Sequence, residues 1–400
     1  MLSEKSRPVV EATLPVIAER IPHITPVFYR DMFAARPDLM DGMFSRSSQL
    51  EGTQPRALAG SIAVFAQWIV QHPDSYPEEV LSRVAHKHAS LGLRPEEYPT
   101  VYRYLFGAIA EDLGEAATEE VVAAWTEVYW LMADALIALE KGLYARQAND
   151  VMRAPYRLVR RVQAADDVAD LTFEPADDTP MTPAEAGQYV SIFCRAEDGL
   201  LQPRQFTLLP SEPGQRRIAV KLDPAGEMTP IILEKLTEGD VIEISNPYGD
   251  VTLGGFGDDG DGPLWLFSAG IGVTPMIAFV AELVRQGSQR EVTVVHTARD
   301  FASWPLREEL ADLVSRLPHG RLISCTTASA EGDHAGRVRV PELDVPADAV
   351  AYLCGPLPFM KDVRSQLVDA GVPGQRIRYE IFGPDQWMLH DQAREEPAAA

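Results

Sequence analysis

Cysteine is almost missing from this chain, at three residues in 400. Cys194, Cys325 and Cys354 are odd in number, dispersed and set in apolar or strand-like runs, so no disulfide framework can be built from them. They also cannot supply the four clustered thiolates of an iron–sulfur centre. Basic residues are short as well: 36 Lys and Arg face 59 Asp and Glu, giving a net charge of −23 and a pI near 4.7. That balance repels nucleic acid and anionic membrane faces, which leaves small-molecule ligands as the expectation and nucleic acid as an excluded partner. No apolar run approaches the roughly 20 residues needed to span a bilayer, and the start of the chain, with Glu4 and Lys5, lacks a basic-then-apolar leader. A cytoplasmic protein with no membrane span, acting as a monomer, is expected. Internal repeats are lacking too.

The length fits about three domains at roughly 100 to 200 residues each. From about residue 3 to 146 strand-like alternation is nearly lacking, and punctuation at Pro22, Pro37, Gly42, Pro73, Pro95 and Gly114 predicts a bundle of six or seven helices. The last runs from Glu119 to Arg146 through Trp125, Tyr129 and Trp130. Short runs then recur at Tyr156–Val159, Tyr189–Phe193, Arg217–Lys221 and Val241–Ile244, broken at Pro183, Gly187, Pro213, Gly239 and Gly249. That pattern predicts a small antiparallel barrel.

The Gly and Asp run from Gly254 to Gly262 can bury nothing and marks a boundary. Beyond it strands (Leu264–Ser268, Val292–Thr297, Arg321–Thr326, Val350–Cys354, Ile377–Phe382) alternate with helices (Met276–Arg285, Leu306–Leu317, Phe359–Ala370), the mark of a parallel-sheet α/β domain. The reading is a multidomain chain: an all-α domain at 1–147, an antiparallel β-barrel at 150–258, a parallel α/β domain at 262–388 and a flexible tail at 389–400.

Several residues carry chemistry. Gln54 and Leu58 are four apart, as are Tyr29 and Phe33, so each pair shares a helix face. Thr53 is suited to cap the later helix and Pro55 to its first turn. A phenol among Phe and Leu side chains suits either a polar ligand atom on a bound iron or an ordinary core carbonyl. His88, in Ala85-His86-Lys87-His88-Ala89-Ser90, can hold a metal if its second ring nitrogen is oriented. Tyr98 and Glu140 are candidates for that partner. Glu140 stands among Leu136, Ile137, Leu139 and Leu143, where burial would be costly without a partner and a solvated face is the plainer reading.

In the second half, Arg204-Gln205-Phe206-Thr207 joins a cation, an aromatic and a hydroxyl on one short run. Gly270-Ile271-Gly272-Val273-Thr274-Pro275 follows a strand and opens a helix, so backbone N–H groups and the positive end of the helix dipole face any anion there. Pro275 replaces the third glycine of the dinucleotide fingerprint, and a plain tight turn fits as well. Cys354-Gly355-Pro356 ends a strand, where Cys354 suits either a reactive site or a small buried apolar residue.

Taken together these residues resemble the flavohaemoglobins, a globin fused to a reductase of the ferredoxin-reductase type, over residues 1 to about 388. The resemblance implies haem b held by His88, with Tyr98 and Glu140 as its hydrogen-bonded partners and Lys87 beside it. It implies Tyr29, Gln54, Leu58 and Phe44 on the other side of the haem. It places Tyr189, Arg204, Gln205, Phe206 and Thr207 at FAD, with Phe206 where Tyr is usual, and Gly270 through Pro275 at the pyrophosphate of NAD(P)H. It gives Glu380, Ile381, Phe382, Gly383 and Pro384 as the closing motif at the flavin, with Ile381 in place of a common Cys. The implied activity is nitric oxide dioxygenation, with O2 and NO as substrates and nitrate as product. A haem-based gas or redox sensor, a reductase of peroxides and a haem-free diaphorase are the alternatives.

Overall fold

The computed structural model describes residues 1–46, 52–256 and 262–383, without the side chains at 53–56, 59, 255 and 256. The chain forms two compact units. One takes in Met1–Met152, Phe193–Arg204 and, of the described C-terminal residues, Gly383; the other takes in Arg153–Ile192 and Gln205–Phe382.

Five α-helices build the first unit among the described residues: α1 (Ser6–Ala35), α2 (Thr53–Gln71), α3 (Glu78–Leu91), α4 (Tyr98–Leu113) and α5 (Glu119–Ala145), joined in places by short 3-10 turns. Val10, Ile17, Ile21, Ile24, Phe28 and Met32 recur at helical spacing on α1 and are buried. The expected break at Pro22 does not occur. α1 runs through Pro15, Pro22 and Pro26, because each proline and the residue four before it (Glu11, Ala18 and Pro22) is exposed. The carbonyls that lose their partners therefore reach water. Five α-helices therefore stand among the described residues, where six or seven were expected over the whole segment. α2 begins at Thr53 with Gly52, in the left-handed region at φ 68°, at its cap, so Thr53 is not the capping residue.

The described residues hold one helix long and apolar enough to cross a membrane, α5. It packs against α1 and α3 and buries Trp125, Val128, Met132, Leu136, Glu140 and Leu143, which is how a core helix of a bundle behaves.

Six strands form the first sheet, in the order β4-β3-β6-β1-β2-β5: β1 (Arg153–Ala165), β2 (Val168–Pro175), β3 (Tyr189–Arg195), β4 (Leu201–Thr207), β5 (Arg216–Lys221) and β6 (Val241–Ser245). β1 pairs antiparallel with β2 and β6, and β2 with β5. An isolated antiparallel bridge from Leu209 to Arg217 ties the chain two residues past β4 to β5, so the two ends of the sheet meet at one point while β4 itself, from Leu201 to Thr207, stays an outer strand. α6 (Met228–Lys235) lies between β5 and β6 in sequence.

The second sheet is parallel, in the order β10-β9-β8-β7-β11-β12, with β7 (Leu264–Ala269), β8 (Val292–Ala298), β9 (Gly320–Thr326), β10 (His334–Ala335), β11 (Val350–Cys354) and β12 (Ile377–Glu380). Its helices are α7 (Val273–Arg285), α8 (Arg307–Ser315) and α9 (Leu357–Asp369). Winding starts at β7, runs outward through β8 to β10, then returns to the other side with β11. The last strand stops at Glu380, two residues short of the expected Phe382.

Candidate functional site

His88 sits near the C-terminal end of α3 and meets two groups from other helices. Its Nδ1 lies 2.8 Å from Glu140 Oε1 and 3.2 Å from the Tyr98 hydroxyl, and that hydroxyl donates to the same Glu140 oxygen at 2.6 Å. Glu140 is 1 % exposed, so the solvated-face reading of this residue is wrong. A carboxylate only accepts, so we assign the imidazole proton to Nδ1. Nε2 then carries the lone pair, no protein group among the described residues bonds it, and the side chain keeps 31 % exposure. One nitrogen anchored by an anion and the other left with its lone pair is the arrangement a metal-ligating histidine needs. Glu140 Oε2 is buried without a partner, which keeps negative charge concentrated beside the ring. Burial, and then the charge of Glu140, raise the Tyr98 pKa far above its ordinary value, so this phenol stays a hydrogen-bond donor.

A second cluster forms on the first unit. Tyr29 and Phe33, one turn apart on α1, stack with ring centroids 5.6 Å apart, and Phe44 meets both edge-on at 6.0 and 5.2 Å. Leu58, Ile62, Val101 and Phe106, all half-buried, pack on the same core. Tyr129 joins the two clusters: it packs on this core and donates its hydroxyl to the Tyr98 carbonyl at 2.7 Å. Gln54 is on α2, but its side chain lies outside the described residues. Lys87 is half-buried on α3.

In the barrel, β4 carries the cation–aromatic–hydroxyl run, with β3 beside it. The Gln205 amide donates to Ser191 Oγ on β3 at 2.8 Å, which fixes the strand between Arg204 and Phe206. Arg204 and Phe206 stay half-buried while Thr207 is buried. Tyr189 pairs with Tyr248 through both backbone bonds, 2.7 and 2.9 Å. Gly249, at φ 128°, faces its ring: a Cβ there would stand 3.3 Å from Tyr189, so glycine leaves the half-buried ring its space. Thr229, in the first turn of α6, accepts the Asp223 backbone N–H on its hydroxyl at 2.9 Å.

The nucleotide-type loop sits where the parallel sheet reverses its winding, between β7 and β11, the place where open α/β sheets bind ligands. Gly270–Gly272 forms a 3-10 turn leading straight into α7, with Thr274 and Pro275 buried in its first turn. A Cβ on Gly272 would fall 2.3 Å from the Cys354 carbonyl oxygen, so only glycine lets this loop abut Cys354-Gly355. Register sets Ser268, Cys354 and Glu380 side by side on β7, β11 and β12. Cys354 is wholly buried, and burial followed by the Glu380 charge raises its thiol pKa well above the ordinary value, so it stays protonated. Ile381 is half-buried, Phe382 is 48 % exposed and Gly383 sits at φ 135°; Pro384 and the tail lie outside the described residues.

Sequence reasoning missed Lys221, whose ammonium stands 3.8 Å from the position of a Gly270 Cβ and 3.5 Å from Asp167. It also missed the buried pair Ser268–His296, at 2.8 Å, with His296 stacked on Trp304 and its pKa lowered by burial to about 3. Each is a polar residue inside a strand, and only pairing register reveals its neighbours.

Three family models match this chain: globin over residues 27–136, an oxidoreductase FAD-binding domain over 155–253 and an oxidoreductase NAD-binding domain over 266–365. The chain is 38 % identical to a flavohemoprotein from Chromobacterium violaceum, covering 96 % of this chain and 98 % of that one. It is 37 % identical to another from Bordetella pertussis, covering 96 % and 99 %. A crystal structure of a flavohemoglobin from Malassezia yamatoensis with bound FAD and heme superposes with TM-score 0.94 at 62 % identity, covering 96 % of this chain and all of that one. The flavohem-like FAD/NAD binding domain of a nitric oxide dioxygenase from Vibrio cholerae superposes with TM-score 0.53 at 28 % identity, covering 58 % of this chain and 99 % of that one.

Proposed function

The chain belongs to the flavohemoprotein family, and from that premise we propose that it is an NAD(P)H-dependent nitric oxide dioxygenase, converting NO and O2 to nitrate with electrons drawn from NAD(P)H. The observation that carries the reading is His88: Nδ1 held by a buried carboxylate and Nε2 left over, in a chain that continues into an FAD-type barrel and a nicotinamide-type sheet.

The residues fit the groups this requires. When bound, FAD would supply a hydride-accepting centre for NAD(P)H and haem the iron centre for the oxidation of NO. His88 Nε2 is the iron ligand in this reading. Glu140 and Tyr98 hold the ring's orientation and make it a stronger donor, and Lys87 adds a positive charge one residue away. Tyr29 and Gln54 supply the polar groups of the opposite face, with Phe44 and Leu58 as apolar walls that exclude water. On the reductase side, Arg204 neutralises a pyrophosphate, Phe206 and Tyr189 pack on flat rings, and Gln205 and Thr207 give hydrogen bonds. The backbone from Gly270 to Pro275 cradles the nicotinamide pyrophosphate, while Glu380, Ile381, Phe382, Gly383 and Pro384 close over the flavin. We take the functional modules to span 1–147, 150–258 and 262–388, in a monomer working in the cytoplasm.

Turning NO and O2 into nitrate takes one electron, so a hydride serves two turnovers. Anaerobic reduction by NADH followed by O2 and NO should give two nitrates per NADH consumed. Tyr29→Phe removes a hydrogen bond whose loss leaves a cost of about 1–3 kcal/mol, so O2 should leave roughly 5- to 150-fold faster and nitrate yield should drop. Unchanged O2 release and yield would overturn the role of Tyr29; NADH consumption without nitrate would overturn the activity.

A further inference from the structure

β4 is an edge strand, and an edge presents N–H and C=O groups that need partners. The segment Met40–Arg46, inside the first unit, supplies them. Gly42 N–H donates to the Leu201 carbonyl at 2.9 Å, and Leu201 N–H donates to Asp41 Oδ1 at 2.7 Å. Gly42 is at φ 90°, where a side chain is strained, so glycine permits that approach. Arg46 and Asp198 form an ion pair at the end of the segment.

Gln202 is the centre of this pairing. It is 0 % exposed, where an amide is costly unless satisfied. Its Nε2 donates to the Met40 carbonyl at 3.1 Å and to the Leu201 carbonyl at 3.0 Å, and its Oε1 accepts the Arg46 N–H at 2.9 Å. Both ends of the 40–46 segment are thus tied to one side chain. Between those ends lies Phe44, the ring that packs on Tyr29 and Phe33. Two residues after Gln202, the same strand enters Arg204-Gln205-Phe206-Thr207.

We infer that Gln202 is a positioning residue for internal electron transfer: its amide locks the segment bearing Phe44 to the strand that runs on into the flavin-type motif. A shift of the segment by one bond length alters the wall of the haem pocket and the path along the chain to the flavin strand together. The inference rests on the electron route proposed above and assigns part of it to a residue with no role in binding either group.

The test is rapid mixing of the holoenzyme with NADH, with flavin bleaching and the haem Soret shift followed separately, on wild type and Gln202→Leu. Leu fills the space and removes the amide's bonds to the Met40 carbonyl and the Arg46 N–H. The flavin phase should stay within about twofold of wild type while the haem phase slows by about tenfold or more. Amide exchange, read without turnover, should show the Gly42 and Arg46 N–H groups losing about tenfold in protection. Should Gln202→Leu fold poorly, Asp41→Ala removes one bond from the same pairing and should slow the haem phase several-fold, with Asp41→Asn restoring it by keeping the acceptor. Equal haem phases in wild type and variants, or a flavin phase that slows in parallel, would overturn the inference. Wild-type protein whose flavin bleaches with no Soret shift would instead overturn the electron route.

Discussion

A carboxylate that water cannot reach needs partners on both oxygens, and Glu140 has them on one. Its stability therefore depends on the imidazole and the phenol, and the imidazole's electron richness depends on it in turn. Glu140→Gln keeps the shape and an acceptor but removes the charge. The ring becomes a weaker donor, so the midpoint potential of the bound iron should rise and the iron–histidine stretch should fall in frequency; a stretch at the wild-type position would show that the carboxylate does not reach the metal. The sequence named His88, Tyr98 and Glu140 through their resemblance to a family pattern, while residue type alone favoured a solvated Glu140. What periodicity could not supply is burial, because one acidic residue on an apolar helix face reads the same whether it faces water or a partner 52 positions away. Gln202 was still less legible: its partners Met40 and Arg46 are about 160 residues off, and nothing local distinguishes a buried amide from an exposed one.

At the scale of elements, the sequence was read correctly where periodicity had no competitor and misread where punctuation was taken as decisive. The strand Val350–Cys354 was bounded as observed, since both faces of a parallel strand are buried and the run is plainly apolar. β2 carried no such signal. Val168–Phe173 is buried at every position, yet Asp170 and Thr172 interrupt its apolar run. Asp170 is tolerated there because Arg217 on β5 grips it with bonds of 2.7 to 3.0 Å and extends to Glu309 on α8 at 2.7 and 2.8 Å. Burial works against the guanidinium charge, and the two carboxylates more than offset it, so the pKa of Arg217 is raised. This fork joins a barrel strand to a helix of the parallel sheet inside the second unit. Arg217→Lys keeps the charge but cannot grip two carboxylates in a plane. Loss of a buried ionic partner costs about 3–5 kcal/mol when complete, and part of that should appear as a thermal midpoint several degrees lower. KM for NADH should rise while FAD is retained. A midpoint and KM equal to wild type would show the fork to be incidental.

For the whole molecule, charge makes a demand that no single site makes. A net −23 sets up a repulsive field for any anion approaching from a distance, and the dinucleotide is an anion whereas NO and O2 are neutral. Close in, the sign differs: Lys221 stands beside Gly270, and α7 starts from the same loop, so the positive end of its dipole lies there. Which of the two governs arrival depends on range. The Debye length is about 30 Å at 0.01 M salt and about 10 Å at 0.1 M, so added salt removes the distant repulsion first and leaves the contact attraction largely in place. kcat/KM for NADH should therefore climb several-fold from about 10 mM to 100 mM NaCl, while the rate of NO capture by the NADH-reduced enzyme stays flat. Lys221→Ala should lower kcat/KM at every salt concentration without changing that upward slope. A wild-type rate that falls with salt would show instead that Lys221 and the helix end dominate the approach, and in that case Lys221→Ala should flatten the dependence.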